Sequence, residues 1–166
     1  TAINTIFNID KGTGVYLNGG TVDLGATGKA AINFGSNGGT AIFQNGGPIN
    51  TDSGLTITGN GSFLALKNGN TTINSLLKVG GGAIGINSTY DKAGTYNLAL
   101  GSSGRIELNG TSATGIAASA TTGTVNIKNE GTIITTSGNK IVGIFSKGAN
   151  VENTASECLD EEKGIE

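Results

Sequence analysis

The feature that most constrains this chain is a short pattern that keeps returning. It consists of a small residue, two apolar residues, one or two polar ones, a Gly/Asn turn and another short strand. It reads Gly14-Val15-Tyr16-Leu17-Asn18-Gly19-Gly20-Thr21-Val22 and returns as Ala41-Ile42-Phe43-Gln44-Asn45-Gly46-Gly47-Pro48-Ile49. Phe63-Leu64-Ala65-Leu66-Lys67-Asn68-Gly69-Asn70 follows, and then Gly82-Ala83-Ile84-Gly85-Ile86-Asn87. Gly115-Ile116-Ala117-Ala118-Ser119 comes next, and the last return is Gly143-Ile144-Phe145-Ser146-Lys147. The longer gap from Ile86 to Ile116 is expected to hide one insertion. Returns within or near a period of roughly 20–50 residues are the mark of a solenoid, in which no repeat can bury its apolar face alone.

Between these returns the apolar residues alternate with polar ones. Leu55-Thr56-Ile57-Thr58, Ile106-Glu107-Leu108-Asn109 and Val125-Asn126-Ile127-Lys128 all have period two, the signature of half-buried strands. Clusters such as Asn18-Gly19-Gly20, Asn45-Gly46-Gly47, Asn60-Gly61 and Gly80-Gly81-Gly82 separate them. Asn and Gly tolerate positive φ, so these are turns. Gly (30), Thr (22), Asn (19) and Ser (12) together make 83 of 166 residues, which alone could describe a flexible linker. The 18 Ile and the low net charge of −2 argue for a packed chain instead. Gly at that density also disfavours long helices.

An antiparallel meander would use the same strands and turns. Variable spacing with a stable pattern fits a parallel β-helix better, because its turns can lengthen outward without disturbing the core. The expected fold is therefore all-β, a right-handed parallel β-helix of about six rungs, with stacked apolar columns and Asn amides stacked at the turns. Residues 1–154 form the repeat region, and the stretch from Ala2 to Asp10 already reads as strand. With no capping segment evident there, the region is expected to be cut from a longer array. Residues 155–166 differ: Glu157, Asp160, Glu161, Glu162 and Glu166 face only Lys163, a net charge of −4. They are expected to be a disordered acidic tail or one foreign to the natural protein, with partner binding as the sharper alternative.

Several function classes are excluded at once. With no His, there is no Ser-His-Asp or Cys-His catalysis and no His-bound metal. The single Cys, Cys158, permits no internal disulfide. Arg105 and nine scattered Lys form no basic stripe, so no nucleic-acid partner is expected. The longest apolar stretch, near Ile141–Phe145, is far short of the roughly 18 residues a membrane-spanning helix needs.

The last rungs resemble a known family. Asn126-Ile127-Lys128-Asn129, Glu130-Gly131-Thr132-Ile133-Ile134 and the run from Gly138 through Ile141-Val142-Gly143-Ile144-Phe145 to Val151-Glu152-Asn153 are similar to the N-x-G-x-I … G-I-(Y/F) … G … V-x-N rung of large bacterial autotransporter passengers. The flavour is that of the fusobacterial adhesins, and the resemblance covers roughly residues 12–154. It implies a monomeric β-helical passenger, exported through a C-terminal outer-membrane barrel that this sequence does not contain. Such a passenger would be displayed at the bacterial cell surface as an adhesin for host or bacterial surface proteins or glycans. No binding motif of the family maps onto particular residues.

The chemistry-bearing residues are sparse. A β-helical polysaccharide-processing enzyme would need clustered carboxylates, but Asp10, Asp23, Asp52 and Asp91 are unevenly spaced. Asp23 and Asp52 side by side in a groove would revive that reading. Gly80-Gly81-Gly82 lacks the Lys-Ser/Thr and helix of a phosphate loop. Thr56-Ile57-Thr58 and the Thr pairs at 71–72, 121–122 and 135–136 would suit an ice-binding face only if they aligned. Four Asn-x-Ser/Thr sequons, starting at Asn60, Asn70, Asn87 and Asn109, are what this composition produces by itself. A phage tail fibre is the remaining alternative. No cofactor and no enzyme activity are expected. The strongest departure from the rung pattern is the segment around Tyr90, Asp91 and Lys92, expected to be an outward loop. It is the candidate binding site, because loops carry recognition and Tyr suits contact surfaces.

Overall fold

The computed structural model describes residues 2–3, 6–24, 30–35 and 38–154; the acidic tail and Cys158 lie outside the described residues. Every regular element described is a β-strand of two to seven residues. The first turn holds β1 (Ala2–Ile3), β2 (Ile6–Ile9) and β3 (Thr13–Asn18), and the second β4 (Val22–Leu24), β5 (Ala30–Phe34) and β6 (Thr40–Asn45). Next come β7 (Ile49–Thr51), β8 (Leu55–Gly59) and β9 (Ser62–Lys67), then β10 (Thr71–Ile73), β11 (Leu76–Val79) and β12 (Ile84–Tyr90). β13 (Thr95–Leu100), β14 (Arg105–Asn109) and β15 (Thr114–Ala120) precede β16 (Thr124–Asn129), β17 (Thr132–Ser137), β18 (Val142–Lys147) and β19 (Asn150–Asn153).

Each strand pairs with the strand three places along, always in parallel. The result is one sheet of seven strands and two of six. The chain thus winds through three sheets in rotation as a parallel β-helix, with five turns between β3 and β18. The meander is excluded, since no antiparallel pairing occurs among the described strands. The stretch from Ala2 to Asp10 holds two strands in different sheets rather than one.

The returning motif is the third sheet. Its register places Val15, Ile42, Leu64, Ile86, Ile116 and Ile144 in one column. The steps along that column are unequal, and the longest runs from Ile86 to Ile116. That step inserts no extra strand. Its additional residues go into longer strands and corners: β13 has six residues where β10 has three.

The second sheet stacks Ile32, Ile57, Leu77, Ile106 and Ile133 in the same way, and the first stacks Ile49, Thr71, Leu98 and Ile127. These columns line one continuous core. A rung spacing of about 4.8 Å keeps each side chain in van der Waals contact with those above and below. The small residue that opens the motif has a packing reason. A Cβ on Gly115 would sit 2.5 Å from the Gly143 carbonyl oxygen, and one on Gly85 would sit 2.7 Å from that of Gly115. Where Phe63 takes this place, its ring turns inward and stacks on Phe34, with centroids 5.3 Å apart.

Amide ladders form both where strands run into Gly turns, as at Asn18 and Asn45, and within strands. Asn45 Nδ2 donates to Asn18 Oδ1 at 2.8 Å and Asn33 Nδ2 to Asn8 Oδ1 at 3.1 Å. Asn150 Nδ2 donates to Asn126 Oδ1 at 3.1 Å, and Asn126 Nδ2 in turn to Asn97 Oδ1 at 3.3 Å. In the interior, the Thr51 and Ser75 hydroxyls satisfy each other at 2.8 Å.

Because Ile86 is fully buried in the middle of its column, Ile86→Ala is expected to cost about 2–5 kcal/mol. A urea melt measures this; a midpoint equal to wild type would contradict the stacked-core account.

Candidate binding surface at the corner after β12

The candidate segment splits in two. Tyr90 is the last residue of β12, not part of a loop, and points into the core with 1 % exposure. Asp91 and Lys92 follow on the exposed corner. The cause is strand parity. Ile86, Ser88 and Tyr90 lie two apart, so all three face inward. The Tyr90 ring packs against Tyr96 of β13, across the corner, with centroids 4.8 Å apart and planes tilted by 34°. Burial pushes the Tyr90 phenol above its ordinary pKa, with the Ser88 hydroxyl acting in the opposite direction. Ser88 Oγ itself donates to the Ala117 carbonyl at 3.3 Å. Tyr90 is thus an interior packing residue and offers no contact face.

One residue of the rung below builds the corner. Asn68 sits at φ 51°, an αL conformation that Asn tolerates. Its Oδ1 accepts the backbone N–H groups of Asp91 at 2.9 Å and Lys92 at 3.2 Å, and its Nδ2 donates to Asp91 Oδ1 at 2.6 Å. Lys67 Nζ pairs with Asp91 Oδ2 at 2.9 Å. The Asp91 carboxyl is therefore held below the usual carboxylate range, first by Asn68 and then by Lys67. The Tyr96 hydroxyl reaches the Lys92 carbonyl at 3.5 Å. Lys67, Asp91 and Lys92 together present an exposed patch with one anion and two cations. It can bind polar or charged groups but holds no activated nucleophile and no paired acid and base. Sequence reasoning found Asp91 and Lys92 but missed Lys67 and Asn68. The signal for them was distance along the chain: both lie about one rung before Asp91.

The remaining carboxylates do not gather. Asp23 accepts from Asn50 Nδ2 at 3.0 Å. Asp52 is on the next turn, two places beyond Asn50, and its backbone N–H donates to the Leu24 carbonyl at 2.9 Å. Two surface hollows are lined by Asn8, Ile9, Asp10, Asn33, Phe34 and Gly35, and by Ile6, Ala30, Ala31, Ser53, Gly54 and Thr56. Neither contains Asp23 or Asp52. Among the described residues, no group of three or more Asp, Glu, His or Cys could hold a metal ion. The Thr pairs do not align either. Thr56 is flanked by Ala31 and Leu76, and Thr58 by Asn33 and Lys78, while Thr71 is buried.

These features define a parallel β-helix with a polar, charge-bearing corner. In comparisons with known proteins, the chain matches no protein-family model, no curated protein and no solved structure.

The Asn68 clasp has a pH signature. The folded-state pKa of Asp91 lies below its ordinary value. The clasp therefore stabilises the fold above the ordinary carboxylate range, and that contribution is lost as pH falls through the folded value. In Asn68→Ala the Asp91 titration should move up toward the ordinary range, read by NMR of the carboxyl carbon. An unmoved titration would show that Asn68 does not hold Asp91.

Proposed function

We propose that this chain is passenger material of a surface-displayed bacterial autotransporter adhesin, carried to the outer membrane by a barrel this sequence does not include. The observation that carries the reading is the division of labour in the fold. The third sheet keeps register through turns of unequal length, so length changes fall on strand ends and corners while the rod stays continuous. A rod of that kind projects and presents; its variable corners meet the partner. The passenger-like rungs from Asn126 to Asn153 support it. The working surface is the corner with Lys67, Asp91 and Lys92, and the partners are polar or charged groups of host or bacterial surface proteins or glycans. Chemistry plays no part in this reading: the rod acts as a monomer without cofactor.

Binding of the fluorescently labelled chain to epithelial cells and to bacterial cells provides the test. Saturable binding that unlabelled protein competes away, and that Asp91→Ala with Lys92→Ala weakens by about tenfold, is the expected outcome; a patch of this kind is worth about that much when two polar contacts are lost. Absence of saturable binding to both cell types, or release of reducing ends from a polysaccharide panel, would overturn the assignment.

A further inference from the structure

Five Asn-Gly pairs lie within the described residues, and the fold treats one of them differently. The chemistry at issue is intramolecular. When the nitrogen that follows an Asn reaches its side-chain carbonyl carbon, it can displace the side-chain amine. That requires an N–H free of a hydrogen-bond acceptor and an Asn side chain free to swing. A hydrogen bond that must break first slows the step by about tenfold.

Three pairs fail both conditions. Gly19 N donates to the Asn45 carbonyl at 2.7 Å, and the Asn18 side chain accepts from Asn45. Gly46 N donates to the Lys67 carbonyl at 2.7 Å while the Asn45 amide is engaged with Asn18. Gly110 N donates to the Ser137 carbonyl at 2.8 Å, and Asn109 Oδ1 accepts from the Ser137 hydroxyl. A fourth, Asn68-Gly69, is buried, with both ends of the Asn68 amide engaged by the Asp91 corner. The fifth, Asn60-Gly61, sits at the exposed corner between β8 and β9. Among the described residues, no acceptor takes the Gly61 N–H and no hydrogen bond holds the Asn60 side chain.

We propose that Asn60-Gly61 is a self-modification site of the folded protein. The Gly61 nitrogen bonds to the Asn60 side-chain carbonyl carbon, the bond to Nδ2 breaks, and the displaced nitrogen leaves as ammonia with the amide proton. One water then opens the five-membered succinimide. Opening on the side-chain side leaves Asp, and opening on the main-chain side leaves isoaspartate. The net change is Asn plus water to Asp or isoaspartate plus ammonia, with no redox step. Either product adds a negative charge at this corner. Isoaspartate also threads one more carbon into the main chain where there is no room for it. Gly61 lies so close to the turn below that a Cβ on it would be 2.5 Å from the Gly39 carbonyl oxygen. The same carbonyl accepts from Ser62 N at 2.8 Å, and the Gly61 carbonyl accepts from Ile84 N at 3.0 Å. Conversion therefore loosens the seam on both sides of β9.

The test is a time course of the full chain in heavy-oxygen water at mildly alkaline pH, read by peptide mass mapping with isoaspartate detection. A urea-unfolded sample serves as reference. In the folded chain, Asn60 should convert about tenfold faster than Asn18, Asn45 or Asn109, with the difference collapsing on unfolding. Asn60→Gln, which must close a larger ring, should remove the isoaspartate signal from the peptide that spans this corner in the folded chain. Conversion of Asn18, Asn45 or Asn109 at the rate of Asn60 in the folded chain would overturn the proposal. So would an intact Asn60 under conditions where the unfolded chain converts.

Discussion

The parallel hydrogen bond between one turn and the next is the interaction on which everything else depends. It fixes the distance between rungs and, through register, decides which residue stands above which. Once Ile86 is paired with Leu64 and Ile116, an apolar residue at each of these places fills the same column. Like side chains then stack on like, and a core forms from strands that could not bury anything singly. The same repetition works for polar groups. An amide above an amide finds both a donor and an acceptor, so Asn on outward faces becomes a ladder rather than a desolvation cost. Glycine follows the same logic: at Gly115 the neighbouring backbone is simply too close for a side chain.

Much of this was legible in the sequence. The period-two runs marked strands, and the returning motif marked one sheet almost residue for residue, because Val15 through Ile144 are all aliphatic. Less legible were positions where the inward face carries polar residues. Gln44 and Ser88 are buried, the first donating to the Gly20 carbonyl at 2.8 Å. Pattern reading treats such residues as signs that a strand has ended. This is why Asn87-Ser88-Thr89 looked like the start of a loop, when β12 continues through it to Tyr90. The Asn ladders were legible in part: Asn18 and Asn45 stack where glycines mark turns, whereas the run through Asn97, Asn126 and Asn150 lies within strands and depends on register. The corner chemistry of Lys67 and Asn68 depends on winding, which a local reading does not see.

In such a molecule the corners are where the sequence is free to vary. The core columns leave little freedom, since each residue has two neighbours along the axis to satisfy. Corners answer to fewer neighbours, and the unequal steps of the third sheet show them changing size while the register persists. The clasp on Asp91 gives one corner a fixed shape, and a fixed shape lowers the entropy lost on engaging a partner.

The direction of the inter-rung hydrogen bonds has a mechanical consequence. They run along the axis of the rod, so a pull on its two ends loads one seam at a time, not many in parallel. Stretching would peel the molecule turn by turn. At roughly 25 residues per turn, each released turn would lengthen the chain by about 80 Å. A solenoid wound this way yields in steps under load, which a single-molecule extension trace would record as a staircase.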